Sequence, residues 1–268
     1  MKRVYQLFVL FIFALILTAC GNSDDGAKKS KKNTLDRVED SGVIRIGFEG
    51  TYQPFNFLDD DNEYAGFDVD IANELASRLG VKTKFVATKW DSLIGGLKAD
   101  KFDVIIAQMT VTEERKKSVD FTDPYVVTGS VLITKENATG ISKLDDIKGK
   151  KVGVGGGTTF EEVARSVDGA NVTLYKTVTD YIQDLVNGRL DVIINDQLLM
   201  SYNIKEEGLP LKIASDILNK DEIAMAVKKG NENFVKKLND ALSDIMEDGT
   251  YDKIYKKWFD SEPLVKEN

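Results

Sequence analysis

Phe102-Asp103-Val104-Ile105-Ile106-Ala107 and Leu190-Asp191-Val192-Ile193-Ile194 are nearly the same phrase written twice in one chain. Each is a short apolar run, with an aspartate second, of the kind that forms a strand buried on both faces of an α/β sheet. Before the first copy, Val43-Ile44-Arg45-Ile46-Gly47 alternates apolar with polar or small residues into a turn, as a strand entering a loop does. A helix follows with Ile71, Leu75 and Leu79 on one stripe, Asp68 as its expected N-cap and Gly80 as its stop. Val81 to Val86 reads as the next strand, and Ser92 to Leu97 as a short helix.

The second copy has the same preamble. Lys151-Val152-Gly153-Val154 runs into Gly155-Gly156-Gly157-Thr158-Thr159, and then into a helix carrying Val163, Ala164 and Val167. Val172 to Tyr175 gives another strand and Tyr181 to Val186 another helix. Two β-α-β-α-β arrays in the same order imply an α/β protein of two lobes, each built on a mostly parallel sheet. Past Ile213, Glu222 to Val227 alternates as a strand, and Phe234, Leu238, Leu242 and Ile245 fall on one helical face. Asp248-Gly249-Thr250 ends that helix, and a last one carries Tyr251, Ile254, Tyr255 and Trp258. This extra material returns the chain to its first lobe, giving residues 35–127 with 222–262 as lobe 1 and residues 128–221 as lobe 2. Ligands of such sheets bind beyond the carboxyl ends of the strands, so the cleft between the lobes is the expected site.

Composition narrows the chemistry. With 268 residues, 42% hydrophobic and 30% charged, the chain has the balance of a globular protein and the length for two modest units. A formal charge of −8 argues against a nucleic-acid partner, which requires a basic surface. There is no histidine, so the commonest general base and metal ligand is missing, and a single cysteine excludes an internal disulfide and Cys-based metal sites. No cofactor or metal is implied, and the chain is expected to be a monomer.

The first residues read as targeting rather than fold. Lys2 and Arg3 precede an apolar stretch, Leu7 to Leu17, too short to span a bilayer comfortably, so residues 1–19 form a signal peptide. Leu17-Thr18-Ala19-Cys20 resembles the bacterial lipobox, which implies that Cys20 carries acyl chains such as palmitate and becomes the mature N-terminus. Losing Lys2 and Arg3 takes the charge from −8 to −10. Residues 20–34 include Gly21 to Asn33, which has no apolar residue larger than alanine, and so read as a flexible tether. The expected location is the extracytoplasmic face of the cell membrane, held by the lipid anchor.

From Leu35 to about Phe259 the sequence resembles the family-3 solute-binding proteins, the polar amino-acid receptors of ABC importers. The resemblance rests on Gly50-Thr51-Tyr52-Gln53-Pro54-Phe55, Gly66-Phe67-Asp68-Val69-Asp70, Thr112-Glu113-Glu114-Arg115, Phe121-Thr122-Asp123-Pro124-Tyr125, Gly157-Thr158-Thr159 and Asp248-Gly249-Thr250-Tyr251, all in order. It implies a type II periplasmic-binding-protein fold, two α/β lobes joined by a two-strand hinge, with crossings near Val127 to Ser130 and Asn219 to Glu222. It also implies a free amino acid as ligand, with L-cystine the first choice because the cystine-binding branch is the most similar. Glutamine, histidine and arginine are the alternatives. The partners implied are the permease and ATPase subunits of an ABC importer.

A free amino acid is a zwitterion, and its burial requires partners for both charges. Its carboxylate suits a guanidinium with backbone amides, and its ammonium suits a carboxylate with hydroxyl or carbonyl acceptors. By resemblance Arg115 is the carboxylate clamp, Thr110 a hydroxyl partner and Gln108 a neighbouring contact. Gly157, Thr158 and Thr159 lie between strand and helix, where amides meet an anion. The same residues also fit a Thr159 N-cap closed into a capping box by Glu162. Asp196, after the second buried strand, is expected to accept the ammonium. Glu49 stands near the ammonium or the side chain, and Tyr52 and Trp90 wall the side-chain pocket. Phe160 departs from the polar residue common among relatives. An enzyme on this fold, such as a secreted dehydratase, would need an acid/base pair, for which Glu49 with Asp196 is the candidate. A sensory input domain would need a transmembrane segment and signalling module beyond residue 260. The binding lipoprotein, with no catalytic residue, is the expectation.

Overall fold

The computed structural model describes residues 33–259 and Pro263, so the expected signal peptide, Cys20 and nearly all of the tether lie outside the described residues. The Asn33 side chain accepts from the Asp36 amide and caps α1 (Thr34–Ser41), so folded structure begins one residue before the expected start of lobe 1. Then come β1 (Val43–Phe48), a small hairpin of β2 (Phe57–Leu58) and β3 (Tyr64–Ala65), α2 (Phe67–Arg78), β4 (Lys82–Ala87), α3 (Leu93–Lys98) and β5 (Val104–Ile105). α4 (Glu113–Lys116) leads into β6 (Val119–Thr128), which only Gly129 separates from β7 (Ser130–Lys135). The second array is β8 (Lys151–Gly155), α5 (Thr159–Arg165), β9 (Asn171–Tyr175), α6 (Val178–Val186) and β10 (Val192–Asp196). α7 (Gln197–Glu206), β11 (Leu211–Ile213), β12 (Asp221–Lys228), α8 (Glu232–Glu247) and α9 (Thr250–Phe259) complete the chain.

These strands form two five-stranded sheets, β4-β1-β5-β12-β6 and β11-β7-β10-β8-β9, one in each lobe. β6 passes directly into β7, and β12 returns, so two extended segments cross between the sheets as the hinge. Each sheet is mixed rather than mostly parallel. β1 runs parallel to β4 and β5, and β8 to β9 and β10, whereas β12 and β7 pair antiparallel with both of their neighbours. Residue alternation reveals that 222–227 is a strand; its direction is set by the route of the returning chain, which alternation does not encode.

The repeated phrase has a concrete structural cause. Asp103 Oδ2 accepts the Arg45 amide at 2.8 Å while the Asp103 amide donates to the Arg45 carbonyl at 2.9 Å. In the other sheet Asp191 Oδ2 accepts the Lys151 amide at 2.8 Å, and the Asp191 amide donates to the Lys151 carbonyl at 2.9 Å. In both lobes, therefore, this aspartate adds a side-chain rung just before the parallel ladder begins. Asp103 is further neutralised by the guanidinium groups of Arg45 and Arg37.

Helix α2 starts differently from the expectation. Its N-cap is Gly66, at φ 127°, and the Phe67 and Asp68 amides donate to the Pro54 and Phe55 carbonyls at 3.0 and 2.8 Å. A loop satisfies the orphan donors, so no capping side chain is required. A Cβ on Gly66 would lie 2.2 Å from the Phe55 carbonyl oxygen, which only glycine avoids. Phe67 is then fully buried, stacked on Tyr125 and edge-on to Tyr251 and Tyr255. This cluster pins the returning helix α9 to lobe 1, each ring contributing on the order of 2–3 kcal/mol of burial. Asp68, freed from capping, turns inward beneath the cleft.

Candidate functional site

A cavity lies between the lobes, with about 510 Å³ of empty space when the solvent at its mouth is included. Its walls come from segments just past the carboxyl ends of parallel strands: Glu49 after β1, Trp90 after β4, Ala107 and Gln108 after β5, Thr158 after β8, and Lys176 and Thr177 after β9. Tyr52, Asn56 and Tyr181 close the sides. The location agrees with the strand-end rule, and both sheets contribute.

The lobes touch across this cavity. Tyr52 donates its hydroxyl to Asn195 Oδ1 at 2.8 Å, and the Asn195 amide group donates to the Tyr181 hydroxyl. Trp90 Nε1 donates to the Gly157 carbonyl at 3.1 Å, and Arg115 Nη2 donates to the same oxygen at 3.3 Å. Asn203 Nδ2 reaches the Gln53 carbonyl at 3.1 Å. These contacts describe a closed arrangement of the two lobes.

Arg115 is held in place by its own loop. Nη1 donates to the Thr110 carbonyl at 2.8 Å, the Thr112 hydroxyl caps its helix, and the guanidinium lies 5.2 Å from the Trp90 ring centroid. Burial disfavours its charge, while Glu162 and Asp221 favour it. Thr110 therefore meets Arg115 through its main chain, and Trp90 serves both as cavity wall and as the surface on which Arg115 rests.

The glycine turn departs from the expected capping box. Thr158, not Thr159, is the N-cap of α5, and Glu161, not Glu162, reaches back to accept the Gly157 amide at 2.8 Å. One amide of the turn is thus already committed, leaving those of Thr158 and Thr159 at the helix end. The frame shifted by one residue because either threonine satisfies the capping pattern and only the φ of +74° at Gly157 decides between them.

Beneath the cavity floor Asp68 is 2% exposed and accepts Asn56 Nδ2 at 2.7 Å, Gln108 Nε2 at 2.7 Å and the Tyr125 hydroxyl at 2.8 Å. Burial outweighs these three donors and pushes its pKa up to about 6. Gln108, at φ +53°, therefore spends its side-chain amide on the floor of the site. Asn56 in turn accepts the Gly50 amide at 2.9 Å, fixing the loop that follows Glu49. Glu49 itself is raised to about 7, chiefly by burial, with Asp91 adding and the Thr51 hydroxyl opposing.

Of the residues expected at the site, Glu49, Tyr52, Trp90, Gln108 and Thr158 line the cavity. Arg115 and Gly157 meet at its edge, and Thr159 opens α5. Asp196 sits at the hinge, where its carboxylate accepts the Leu199 amide at 3.0 Å and the Thr128 hydroxyl at 2.7 Å, and it does not line the cavity. Burial raises its pKa to about 6. Asn56, Lys176, Tyr181 and Asn195 were not foreseen. Tyr181 reads in sequence only as an apolar helix position, and Lys176-Thr177 only as a strand exit. Among the described residues no cluster of three His, Cys, Asp or Glu side chains is placed to hold a metal. None of the described helices is long and apolar enough to cross a membrane.

Comparison with known proteins agrees with this architecture. The family model for bacterial extracellular solute-binding proteins, family 3, matches residues 44–261. The chain is 40% identical over 227 residues to the L-cystine-binding protein TcyJ of Escherichia coli strain K12, covering 84% of this chain and 85% of that one. It is 33% identical over 264 residues to the L-cystine-binding protein TcyA of Bacillus subtilis strain 168, covering 97% and 98%. Among solved structures, an ancestral arginine-binding protein bound to arginine superposes with a TM-score of 0.79 at 40% identity, covering 81% of this chain and 98% of that one.

Proposed function

The chain belongs to the bacterial extracellular solute-binding proteins of family 3, and from that premise we propose that it captures L-cystine between its two lobes and delivers it to the permease of an ABC importer. The observation that carries this reading is the interlobe cavity, closed by Tyr52 on Asn195 and flanked by Arg115 resting on Trp90. Arg115 and the amides of Thr158 and Thr159 receive the ligand carboxylate, and Asp196 turns from Thr128 to meet the ammonium. Tyr52, Trp90, Tyr175 and Tyr181 give the cavity aromatic walls suited to a disulfide-bearing chain. The similarity to two L-cystine-binding proteins supports cystine over the other amino acids.

Arginine is the second reading, because Glu49 offers a carboxylate to a cationic side chain and an arginine-binding protein shares the fold at 40% identity. Titration calorimetry of ligand-free protein with cystine, glutamine, histidine and arginine separates them. Cystine is expected to bind tightest; any other amino acid binding more tightly overturns the choice. The protein acts by binding, and recovery of unchanged ligand after long incubation is the corresponding test against a dehydratase-like activity. Anchoring through Cys20 completes the reading: Cys20→Ala releases the protein from membranes with ligand affinity intact, and a mutant still bound to membranes overturns the anchor.

A further inference from the structure

Of the fourteen residues that line the interlobe cavity, only Glu49 and Lys176 carry a charge, and they come from opposite lobes. Lys176 follows β9 and, among the described residues, has no hydrogen bond or ion pair. Its ammonium is therefore not consumed by the fold, although the chain has 44 acidic residues to pair with it. Glu49 follows β1, its charge disfavoured by burial and by Asp91. Neither residue belongs to the Arg115–Asp196 pair assigned above to the first amino-acid head.

The charges around the cleft can be matched to candidate ligands. Of the residues assigned to the ligand, Arg115 and Lys176 are cations, and Glu49 and, from the hinge, Asp196 are carboxylates. Asp68 is already held by Asn56, Gln108 and Tyr125, Asp91 acts on Glu49, and Glu162 and Asp221 act on Arg115. Glutamine has one carboxylate and one ammonium, so it satisfies one cation and one anion and leaves Glu49 and Lys176 facing a neutral amide. Arginine satisfies Arg115, Asp196 and Glu49 but brings its guanidinium into the cavity that Lys176 lines, where like charges are unfavourable. Only a molecule with two zwitterionic heads matches all four.

We propose that Glu49 and Lys176 form a second head-binding pair, with Glu49 taking an ammonium and Lys176 a carboxylate, so that the receptor selects bis-amino acids, two α-amino-acid heads joined by a short apolar linker. This rests on the cystine reading above and extends it, because the pair reads the heads and not the sulfurs. A thioether or all-carbon diamino dicarboxylate of the same span is then also a ligand. Lys176 acts as a specificity determinant, rejecting single-headed cationic amino acids from a cavity whose one acidic wall residue would otherwise welcome them.

The test is calorimetry on the wild type and on Lys176→Met, Lys176→Glu and Glu49→Gln, with cystine, glutamine and arginine as probes and thermal melts to establish folding. Lys176→Met is expected to weaken cystine at least tenfold and to change glutamine less than threefold. Lys176→Glu is expected to strengthen arginine at least tenfold while weakening cystine further. If the wild type binds cystine but Lys176→Met binds it within threefold, or loses glutamine equally, the second-head pair is wrong and the cystine reading survives. If the wild type does not bind cystine, both fail together.

Discussion

Thr128, the last residue of β6 in one lobe, donates its hydroxyl at 2.7 Å to the carboxylate of Asp196, the last residue of β10 in the other. The neighbouring contact mirrors it: Ser130, the first residue of β7, donates to Asp221, the first residue of β12, at 3.2 Å. In the ladders the partners are exchanged, with Thr128 opposite Asp221 and Ser130 opposite Asp196. Each hydroxyl therefore bonds the acid that belongs to the other hinge strand's ladder. This crossed arrangement ties the two sheets together at the point about which they must rotate.

Thr128→Val removes one donor from a carboxylate that is 6% exposed. Leaving a buried acceptor short of a partner costs about 1–3 kcal/mol. The cost falls on the ionised form, and Asp196 ionises near pH 6. Denaturant unfolding is therefore expected to show a larger loss for Thr128→Val at pH 8 than at pH 5; an equal loss at both would mean that the hydroxyl serves packing alone.

The wild type has its own pH dependence. Asp68 and Asp196 titrate near 6 and Glu49 near 7, all raised chiefly by burial above their ordinary values of 3.8, 3.8 and 4.5. The folded protein thus holds protons that the unfolded chain has released, so folding takes up protons between about pH 4 and 7. Stability is gained as pH falls through that window and lost as it rises. A tenfold change in proton affinity corresponds to about 1.4 kcal/mol, so the three groups together change stability by an amount on the order of several kcal/mol, with an upper bound of about 9. The acids of opposite sign, Glu113, Asp120, Asp146, Glu161, Asp184 and Asp248, are held below their ordinary values by their hydrogen bonds and ion pairs, so their contribution is lost only at the acid end of this window and below it. Melts at pH 5.5 and 7.5 are expected to give the higher Tm at the lower pH, and the reverse order would contradict the burial of these groups.

Much of this architecture was legible in the sequence because its signals are local. Phe102 to Ala107 and Leu190 to Ile194 announce two arrays, and Phe234, Leu238, Leu242 and Ile245 announce a helical face that is in fact buried. Strand direction was not legible, since alternation is the same in either direction. The floor of the site was misread for a related reason. Asp68 looks like a cap when only neighbours in sequence are considered, and its partners Gln108 and Tyr125 arrive from distant segments. Lys176 was invisible because a charge at a strand exit has no local signature of facing a cavity, and Asn195 because a polar residue that closes an apolar run has none of bonding to another lobe. The same holds for the bond between Tyr52 and Asn195, which exists only once two lobes face each other.

That bond yields a prediction about closure. Tyr52→Phe keeps the ring in its stacked contact with Phe55 and removes only the donor to Asn195. One interlobe hydrogen bond contributes about 1 kcal/mol to the closed state. Ligand affinity is expected to drop about fivefold, with the Tm of ligand-free protein changed by no more than a few degrees. Arg115→Ala, which leaves the ligand carboxylate without its clamp, is expected to lose ~2–5 kcal/mol. If Tyr52→Phe weakens binding as much as Arg115→Ala does, the hydroxyl contacts ligand and is more than a latch.

Gly129 is the residue on which hinge geometry depends most directly. It joins Thr128 to Ser130, and its carbonyl accepts the Gln197 amide at 3.0 Å. A Cβ at this position would lie 2.2 Å from the Asn219 carbonyl oxygen and 2.3 Å from Ile217 Cγ2. The closer obstacle is backbone, so it cannot swing away as a side-chain tip would, and the two crossing segments would have to separate. Replacing glycine by alanine in a tolerant position lowers unfolded-state entropy and stabilises by about 0.4–1 kcal/mol. Here the clash outweighs that gain, and an overpacked site typically loses about 1–3 kcal/mol. Gly95, inside α3 with nothing within 4 Å of where its methyl group would sit, is the matched control, and Gly95→Ala is expected to stabilise by up to about 1 kcal/mol. Urea unfolding of both variants decides the matter. Gly129→Ala is expected to be destabilised and to bind ligand more weakly, because separating the crossings disturbs Thr128, Ser130 and Asp221 together. Stability within about 0.5 kcal/mol of the wild type, a margin typical of substitutions that meet no packing constraint, would show that the hinge has room the packing denies.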